Sequence, residues 1–257
     1  MTEPAFEYWG LIAQTWDLFR GDTSNWSDRF FFREVVRRYG EPVLDVGCGT
    51  GRLLLDFLAD GVEIVGVDNS RHMLDLCHEK AAAQGLQPQL YEQQMEELDL
   101  PRRYQTILVP SSSFQLLTEP ALAALAMERF YAHVLPGGEL VMPFMAIWNE
   151  GDPVETGWVL VREATFPDGT VARRWFRGWY DLEKMLEHTE DRYELLRDGE
   201  VVAEELHRRS PATQGYTLAQ AAQLYQDAGF GALEFYRDFT WETAQPDDKV
   251  ICIVGHK

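Results

Sequence analysis

The stretch VLDVGCGTG, residues 43–51, decides the fold of this 257-residue chain. Its apolar beginning is typical of a short buried strand, and three glycines follow at positions 47, 49 and 51. The next segment, RLLLDFLAD at 52–60, has the apolar spacing of a helix. Such a turn lets a ligand approach the backbone and meet the free N–H donors at the helix start. The stretch therefore predicts a ligand-binding turn between a strand and a helix.

The glycine spacing separates two kinds of cofactor. A dinucleotide-binding turn follows G-x-G-x-x-G, which would need glycine at position 52, where this chain has Arg52. Asp68 closes the second apolar strand, VEIVGVD, at the place where an acidic side chain accepts both hydroxyls of a ribose. The residues alone also allow Asp68 to be no more than a helix cap. The pattern disfavours a nicotinamide cofactor and favours an adenosine-containing ligand.

Strands and helices alternate on both sides of this motif. Residues 5–40 predict two helices. The further segments that we assign are helices at 73–85, 121–135 and 217–230 and strands at 104–110, 139–145, 232–239 and 249–257. The predicted fold class is α/β, with a Rossmann-like sheet of seven mostly parallel strands and an antiparallel last strand.

The periodicity changes between about residues 150 and 212. Four extended segments follow one another there, and their turns contain Asp168-Gly169 and Asp198-Gly199. The pattern predicts an antiparallel β meander, inserted so that it covers the substrate side of the sheet. The predicted domains are a helical lid at 1–40, a Rossmann-like cofactor domain at 41–147 and 213–257, and the inserted region at 148–212.

The charge of the chain limits its partners. A formal net charge of -19 disfavours nucleic acid, because affinity for phosphates depends on clustered Lys and Arg. A negative exterior favours neutral or cationic solutes, although solubility alone also explains it. We expect a small-molecule partner and a monomer or a homodimer.

Targeting and metal signals are absent from the sequence pattern. The beginning, MTEPAFEYWG, has no basic region followed by an apolar run, and no run of about 18 apolar residues occurs. We therefore expect a cytoplasmic protein with no membrane association. The three cysteines, Cys48, Cys77 and Cys252, are far apart and do not form a C-x-x-C pair, so we expect neither a metal site nor a disulfide.

With these features in place, the sequence resembles the class I S-adenosylmethionine-dependent methyltransferases. The resemblance covers roughly residues 12–144 and 216–257 and rests on three motifs in the order of that family: DVGCGTG (45–51), GVDNSRHML (66–74) and LPGGEL (135–140). Three other segments resemble bacterial small-molecule enzymes and, more distantly, glycine and amino-sugar N-methyltransferases: WDLFRGDT (16–23), RRYGEPVLDVGCGTGRLL (37–54) and PSSSFQLL (110–117). The resemblance implies S-adenosylmethionine as cofactor and a small-molecule methyl acceptor.

The resemblance also implies which residues hold the cofactor. Gly47, Cys48 and Gly49 line its methionine and ribose part, Asp45 reaches the methionine amine directly or through water, and Asp68 holds the ribose. The remaining implied contacts are Asn69 and Met73 beside the adenine, Gln94 and Met95 in place of the usual acidic and apolar pair, Pro110 and Ser111 near the sulfonium, Trp16 as an aromatic lid residue, and Arg29 at the methionine carboxylate.

The acceptor contacts are less well defined by the sequence. Ser112 and Ser113 follow the strand end at which acceptors sit in the resembled family, although they could simply cap the next helix. In the insertion we select Arg177, Tyr180 and His207 as acceptor contacts, and Tyr180 and His207 as candidates for a general base. An ordinary half-buried sheet would explain these three residues equally well.

Three functions stay open at this point. The favoured one is N- or O-methylation of a small molecule. The others are an NAD(P)-dependent oxidoreductase and a catalytically silent protein that binds S-adenosylmethionine.

Overall fold

The computed structural model describes residues 8–245 and 247–257. The chain divides into two compact units. The large unit comprises Ser24–Ala146 and Gly215–Lys257, and the small unit comprises the described residues 8–23 and Ile147–Gln214. None of the helices in the described residues combines the length and the apolar character of a membrane span.

The helices and strands follow the alternation that the sequence predicts. In chain order they are α1 (Gly10–Arg20), α2 (Ser27–Tyr39), β1 (Val43–Val46), α3 (Leu54–Ala59), β2 (Ile64–Asp68), α4 (Arg71–Ala83), β3 (Gln89–Glu92), β4 (Tyr104–Leu108), α5 (Pro120–His133), β5 (Val134–Met145), β6 (Val159–Thr165), β7 (Val171–Asp181), β8 (Leu186–Arg197), β9 (Glu200–Gln214), α6 (Leu218–Ala228), β10 (Ala232–Arg237) and β11 (Val250–His256). Two short 3₁₀ turns lie at Met95–Glu97 and Ser113–Leu116.

The large unit contains a seven-stranded sheet in the order β10-β11-β5-β4-β1-β2-β3. β1 runs parallel to both β2 and β4, whereas β11 is antiparallel to β10 and β5. This arrangement confirms the predicted fold class, including the antiparallel last strand. Because β1, β2 and β4 are parallel neighbours, their carboxyl ends lie at one edge of the sheet, where ligands bind in open α/β sheets.

Apolar side chains cover both faces of this sheet. All four residues of β1 are buried, as expected for a central parallel strand that has helices on both sides. On one face, Phe32 and Val35 of α2 are fully buried in the cluster that contains Val43. Burying one such aromatic side chain stabilises a fold by about 1.5 to 3 kcal/mol. These contacts make α2 part of the large unit.

The small unit contains an antiparallel sheet in the order β6-β7-β8-β9, which confirms the predicted meander. Leu11 and Ile12 of α1 are buried against Tyr193 and Leu195 of β8. Within residues 8–40, the segment predicted as one helical lid at 1–40 is therefore divided between the two units. The apolar face of α1 packs in the small unit, while that of α2 packs in the large unit.

The turn between β8 and β9 yields a stability prediction. Asp198 and Gly199 have φ angles of 53° and 83°, the left-handed region that the two-residue hairpin turn requires. No atom outside the turn lies within 4 Å of a Cβ built on Gly199, so alanine there adds backbone strain and no clash. We expect Gly199→Ala to lower the free energy of unfolding by about 1 kcal/mol in urea denaturation.

Gly157 supplies the matched control for this prediction. A Cβ at Gly157 also meets no atom within 4 Å, and its φ lies outside the left-handed region. Gly157→Ala should leave the unfolding free energy unchanged or raise it slightly. Equal losses in the two variants would contradict the assignment of strain to the turn.

Candidate active site

The glycine turn lies at the carboxyl end of β1. Gly47 and Gly49 have φ angles of 72° and 55°, which few residues other than glycine adopt. A Cβ on Gly47 would lie 2.9 Å from Oγ of Ser113, closer than real Cβ contacts allow. Glycine at this position therefore provides both the turn and the close approach of the loop that follows β4.

Asp68 fixes this turn from the end of β2. Its Oδ2 accepts a hydrogen bond from the Gly49 N–H and its Oδ1 accepts one from the Ser70 N–H, both at 2.8 Å. The cap of α4 is Ser70, whose Oγ accepts from the Met73 N–H at 3.2 Å. Asp68 therefore does more than cap a helix: it ties the glycine turn to the end of β2. Burial raises the pKa of this carboxyl.

Asp45 is the second acidic residue at this edge. It is 1% exposed, and its Oδ1 has no hydrogen-bond partner among the described residues. Burial above all, with a contribution from the charge of Asp68, raises the pKa of Asp45 to about 7, while Arg52 acts in the opposite direction. A buried carboxylate oxygen without a donor is costly. The position fits a ligand that brings an N–H donor, such as the amine of a bound methionine.

Two arginines near the turn have carboxylate partners inside the large unit. Arg52 forms a two-pronged pair with Asp28 at the start of α2, and both side chains are nearly buried. Arg29 pairs with Asp56 of α3. Its role at the methionine carboxylate stays a prediction. The Arg52–Asp28 pair was not predicted from the sequence. There, Arg52 was noted only because a dinucleotide-binding turn needs glycine at position 52.

The other predicted cofactor residues lie near the ends of β1, β2 and β3. Cys48 is buried, and burial raises the pKa of its thiol, so the thiol stays neutral. Asn69 is half-buried after β2, and Met73 is 1% exposed in the first turn of α4. After β3, Gln94 is half-buried, and Met95 packs against the main apolar cluster. Their contacts with a cofactor stay predictions.

The loop after β4 completes this edge of the sheet. Pro110 is buried, and Ser111 has a φ of 59°, an uncommon conformation for a residue other than glycine and one that is enriched at functional sites. Oγ of Ser113 donates to the Pro110 carbonyl at 2.8 Å. This hydrogen bond stays within the loop: neither the 3₁₀ turn at Ser113–Leu116 nor α5 has a side-chain cap. Ser112 is half-buried beside Ser113. Their contact with an acceptor stays a prediction.

Comparison with known proteins identifies the domain to which this edge of the seven-stranded sheet belongs. Residues 43–138 match the family described as methyltransferase domain. They are a class I S-adenosylmethionine-dependent methyltransferase domain. The resemblance, the enzyme class and the cofactor predicted from the sequence are thereby confirmed.

Three individual proteins illustrate the similarity. Over its whole length, and the whole length of the relative, the chain is 25% identical to a protein of Geobacillus sp. (strain WCH70) that is named as a methyltransferase. It is 33% identical to the dTDP-3-amino-3,6-dideoxy-alpha-D-glucopyranose N,N-dimethyltransferase of Streptomyces fradiae over 54% of this chain and 55% of that protein. A solved S-adenosylmethionine-dependent methyltransferase from Clostridium acetobutylicum superposes with a TM-score of 0.76 at 17% identity, over 96% of this chain and 97% of that one.

Trp16, predicted as a lid residue, lies outside the methyltransferase domain, on α1 of the small unit. Its ring centroid lies 4.8 Å from that of Tyr8, and the guanidinium of Arg20 lies 3.9 Å from the centroid of the Trp16 ring. Both partners belong to the small unit. A contact between Trp16 and the cofactor stays a prediction.

The predicted acceptor contacts of the small unit lie on opposite faces of its sheet. Arg177 donates to Glu190 at 2.8 Å on one face. On the other face, the Tyr180 hydroxyl donates to Glu187 at 3.2 Å, and Nε2 of His207 lies 3.0 Å from Glu205. Side chains alternate between the faces of a strand, so these three residues do not line one surface.

The two candidates for a general base differ in their environment. Burial raises the pKa of Tyr180 to about 12, so its phenol stays protonated at neutral pH. His207 is 4% exposed and contacts the ring of Trp9 at 4.4 Å between centroids. A role of either residue as a general base stays a prediction.

Proposed function

We propose that this chain N-methylates a small-molecule amine. The observation that carries the cofactor half of the proposal is the buried Oδ1 of Asp45, next to the glycine turn that Asp68 holds. Among the residues that the structure describes, no donor reaches this oxygen. The acceptor half is supported by the Streptomyces fradiae relative, whose name gives an amino sugar as its substrate. The net charge of -19 also suits a neutral or cationic acceptor better than an anionic one.

The residues of this edge have distinct tasks in the proposal. The carboxylate of Asp68 accepts hydrogen bonds from the ribose hydroxyls, and Asp45 accepts one from the amino group of the methionine part. When bound, S-adenosylmethionine supplies an electrophilic methyl group. The protein positions the acceptor nitrogen in line with that group and excludes water. An acceptor amine must also lose a proton to a base.

The cofactor half is tested by calorimetry with S-adenosylhomocysteine, the demethylated product, because this measurement needs no acceptor. We expect one-site binding in the micromolar range. At 100 times the dissociation constant, the ligand should also stabilise the fold by about 2.7 kcal/mol in thermal unfolding. Stabilisation by NAD and none by S-adenosylhomocysteine would contradict the proposal and favour an oxidoreductase.

The acceptor half is tested with radiolabelled S-adenosylmethionine and a panel of small amines, phenols and carboxylic acids. We expect label to appear on amines. Transfer of the label only to phenols or acids would contradict N-methylation and favour O-methylation. Cofactor binding without transfer to any member of the panel would favour a silent binding protein.

A further inference from the structure

Ion pairs join α2 to residues 52–60, the segment that follows the glycine turn. Each links a charged residue of α2 to an oppositely charged residue of that segment: Asp28–Arg52, Arg29–Asp56 and Arg33–Asp60. In the last pair both side chains are 52% exposed, whereas the side chains of Asp28 and Arg52 are 8% and 11% exposed. Charges act more strongly on their surroundings where water is excluded, so the Asp28–Arg52 pair is the one that can influence the glycine turn.

The guanidinium of Arg52 is held by both of its terminal nitrogens. Nη1 donates to Oδ1 of Asp28 at 3.1 Å, and Nη2 donates to Oδ2 of the same carboxylate. The centroid of the Trp26 ring lies 5.2 Å from Cζ of Arg52. A two-pronged pair of this kind fixes the plane of a guanidinium as well as its position. Asp28 therefore fixes a positive charge directly after Gly51, the last glycine of the turn.

The positive charge of Arg52 acts on the buried carboxyl of Asp45. Arg52 favours the charged form of this carboxyl, whereas burial and the neighbouring Asp68 disfavour it. The adjacent thiol of Cys48 stays neutral, because burial raises its pKa. Oδ1 of Asp45 accepts no hydrogen bond from residues 8–245 or 247–257. The charge of Asp45 in the protein without ligand therefore depends on Arg52.

We infer that Arg52 and Asp28 are positioning residues for cofactor binding. Arg52 keeps Asp45 ionised for the amino group of the methionine part, and Asp28 holds Arg52 in place while it limits the effect of the positive charge. This inference rests on the proposed function, in which that amino group is the partner of Asp45. The amino group is a cation near neutral pH, so it pairs with the carboxylate form of Asp45.

Cofactor binding by the wild-type protein should then depend on pH. Burial raises the pKa of Asp45 to about 7. The affinity for S-adenosylhomocysteine should therefore rise as the pH increases to about 7 and level off above it, because binding requires Asp45 to lose its proton. Calorimetry between about pH 5.5 and about pH 8.5 gives the midpoint of this rise. Asp45→Asn cannot titrate, so it should bind weakly and without the rise.

Arg52→Gln and Asp28→Asn should move this midpoint in opposite directions. Without the positive charge of Arg52, ionisation of Asp45 is harder, so the midpoint should rise by about one pH unit and the affinity near pH 7 should fall about 5-fold. Without the negative charge of Asp28, the charge of Arg52 acts unopposed, so the midpoint should fall. A pair that only supported the fold would weaken binding in both variants without opposite shifts of the midpoint.

Arg33→Gln is the matched control. It also removes a positive charge that pairs α2 with α3, but Arg33 and Asp60 meet in solvent, with 2.7 Å between Nη2 and Oδ2. It should leave the midpoint unchanged, because water and salt screen an exposed charge. If Arg52→Gln fails to fold because Asp28 stays buried without its partner, the double variant Asp28→Asn/Arg52→Gln removes both charges and should still raise the midpoint.

The outcomes separate the inference from the proposed function. If the wild-type protein binds no S-adenosylhomocysteine at any pH, the proposed function itself is overturned. If it binds with an affinity that does not change over this pH range, the inference alone is overturned. The same holds if a folded Arg52→Gln or double variant keeps the wild-type midpoint. A midpoint that rises in Asp28→Asn would contradict the role given to Asp28.

Discussion

Asp68→Ala is expected to weaken the binding of S-adenosylhomocysteine by about 100-fold or more in calorimetry. Hydrogen bonds to a charged group contribute about 1.5 to 3 kcal/mol each, and the carboxylate is predicted to hold two ribose hydroxyls. The variant also removes the acceptor of the Gly49 and Ser70 N–H groups, so the glycine turn loses its tie to the end of β2. Both effects lower affinity.

Two further variants make this prediction specific. Asp75→Ala removes an acidic residue of α4 that is exposed and paired only with Arg71 among the ion pairs of the described chain, and it should bind the ligand like the wild type. Asp68→Asn keeps one carbonyl oxygen as acceptor and should lose less affinity than Asp68→Ala. Wild-type affinity in a folded Asp68→Ala variant would refute the assignment of Asp68 to the ribose.

The central strands could be predicted because their signal is local. All residues of β1 and β2 are buried, so each is a continuous apolar run that ends in the motif residues. β3 was not assigned to any segment. Its residues, Gln89–Glu92, are exposed or half-buried at the edge of the sheet, and they carry neither an apolar run nor a strict alternation. Only pairing with β2 makes this segment a strand.

The start of β5 also depends on distant partners. The sequence predicts a turn at Pro136–Gly138 followed by a strand, but β5 already begins at Val134. The Gly137 N–H donates to the Lys257 carbonyl at 2.9 Å, and Gln105 donates to the Gly137 carbonyl at 2.8 Å. These partners are far away in the sequence, so a local reading of proline and glycine as a turn could not reveal them.

The site residues divide in the same way, into those with a local sequence signal and those that depend on residues distant in the sequence. Gly47, Asp45 and Asp68 were selected because a contiguous motif and its spacing carry them. The Arg52–Asp28 pair joins the glycine turn to α2, and its meaning depends on the oxygen of Asp45 that has no partner among the described residues. The acceptor contacts of β7 could not be placed from the sequence, because alternation alone does not tell which face of a strand is buried.

Asp45→Asn is expected to stabilise the protein without ligand while it weakens cofactor binding. The pKa of Asp45 is raised from 3.8 to about 7, so the folded state binds this proton more tightly than the unfolded state does. The contribution of Asp45 to stability therefore falls as the pH rises from about 4 to about 7, and it stays at its least favourable level above that. The asparagine side chain avoids this cost, which is about 4 kcal/mol.

Urea denaturation of both proteins at several pH values measures this effect. At pH 8.5 the variant should unfold with a free energy up to about 4 kcal/mol higher than the wild type. The difference should shrink as the pH falls from about 7 to about 4 and vanish below about pH 3, where Asp45 is protonated in both states. Asp75→Asn, at an exposed residue of α4 that pairs with Arg71, should not raise the free energy of unfolding at pH 8.5. Calorimetry should show weaker binding of S-adenosylhomocysteine by Asp45→Asn, because its amine loses a charged acceptor. If the difference in the free energy of unfolding does not change with pH, folding does not raise the pKa of Asp45 as inferred. Stabilisation with unchanged affinity would show that the buried charge serves something other than the amine.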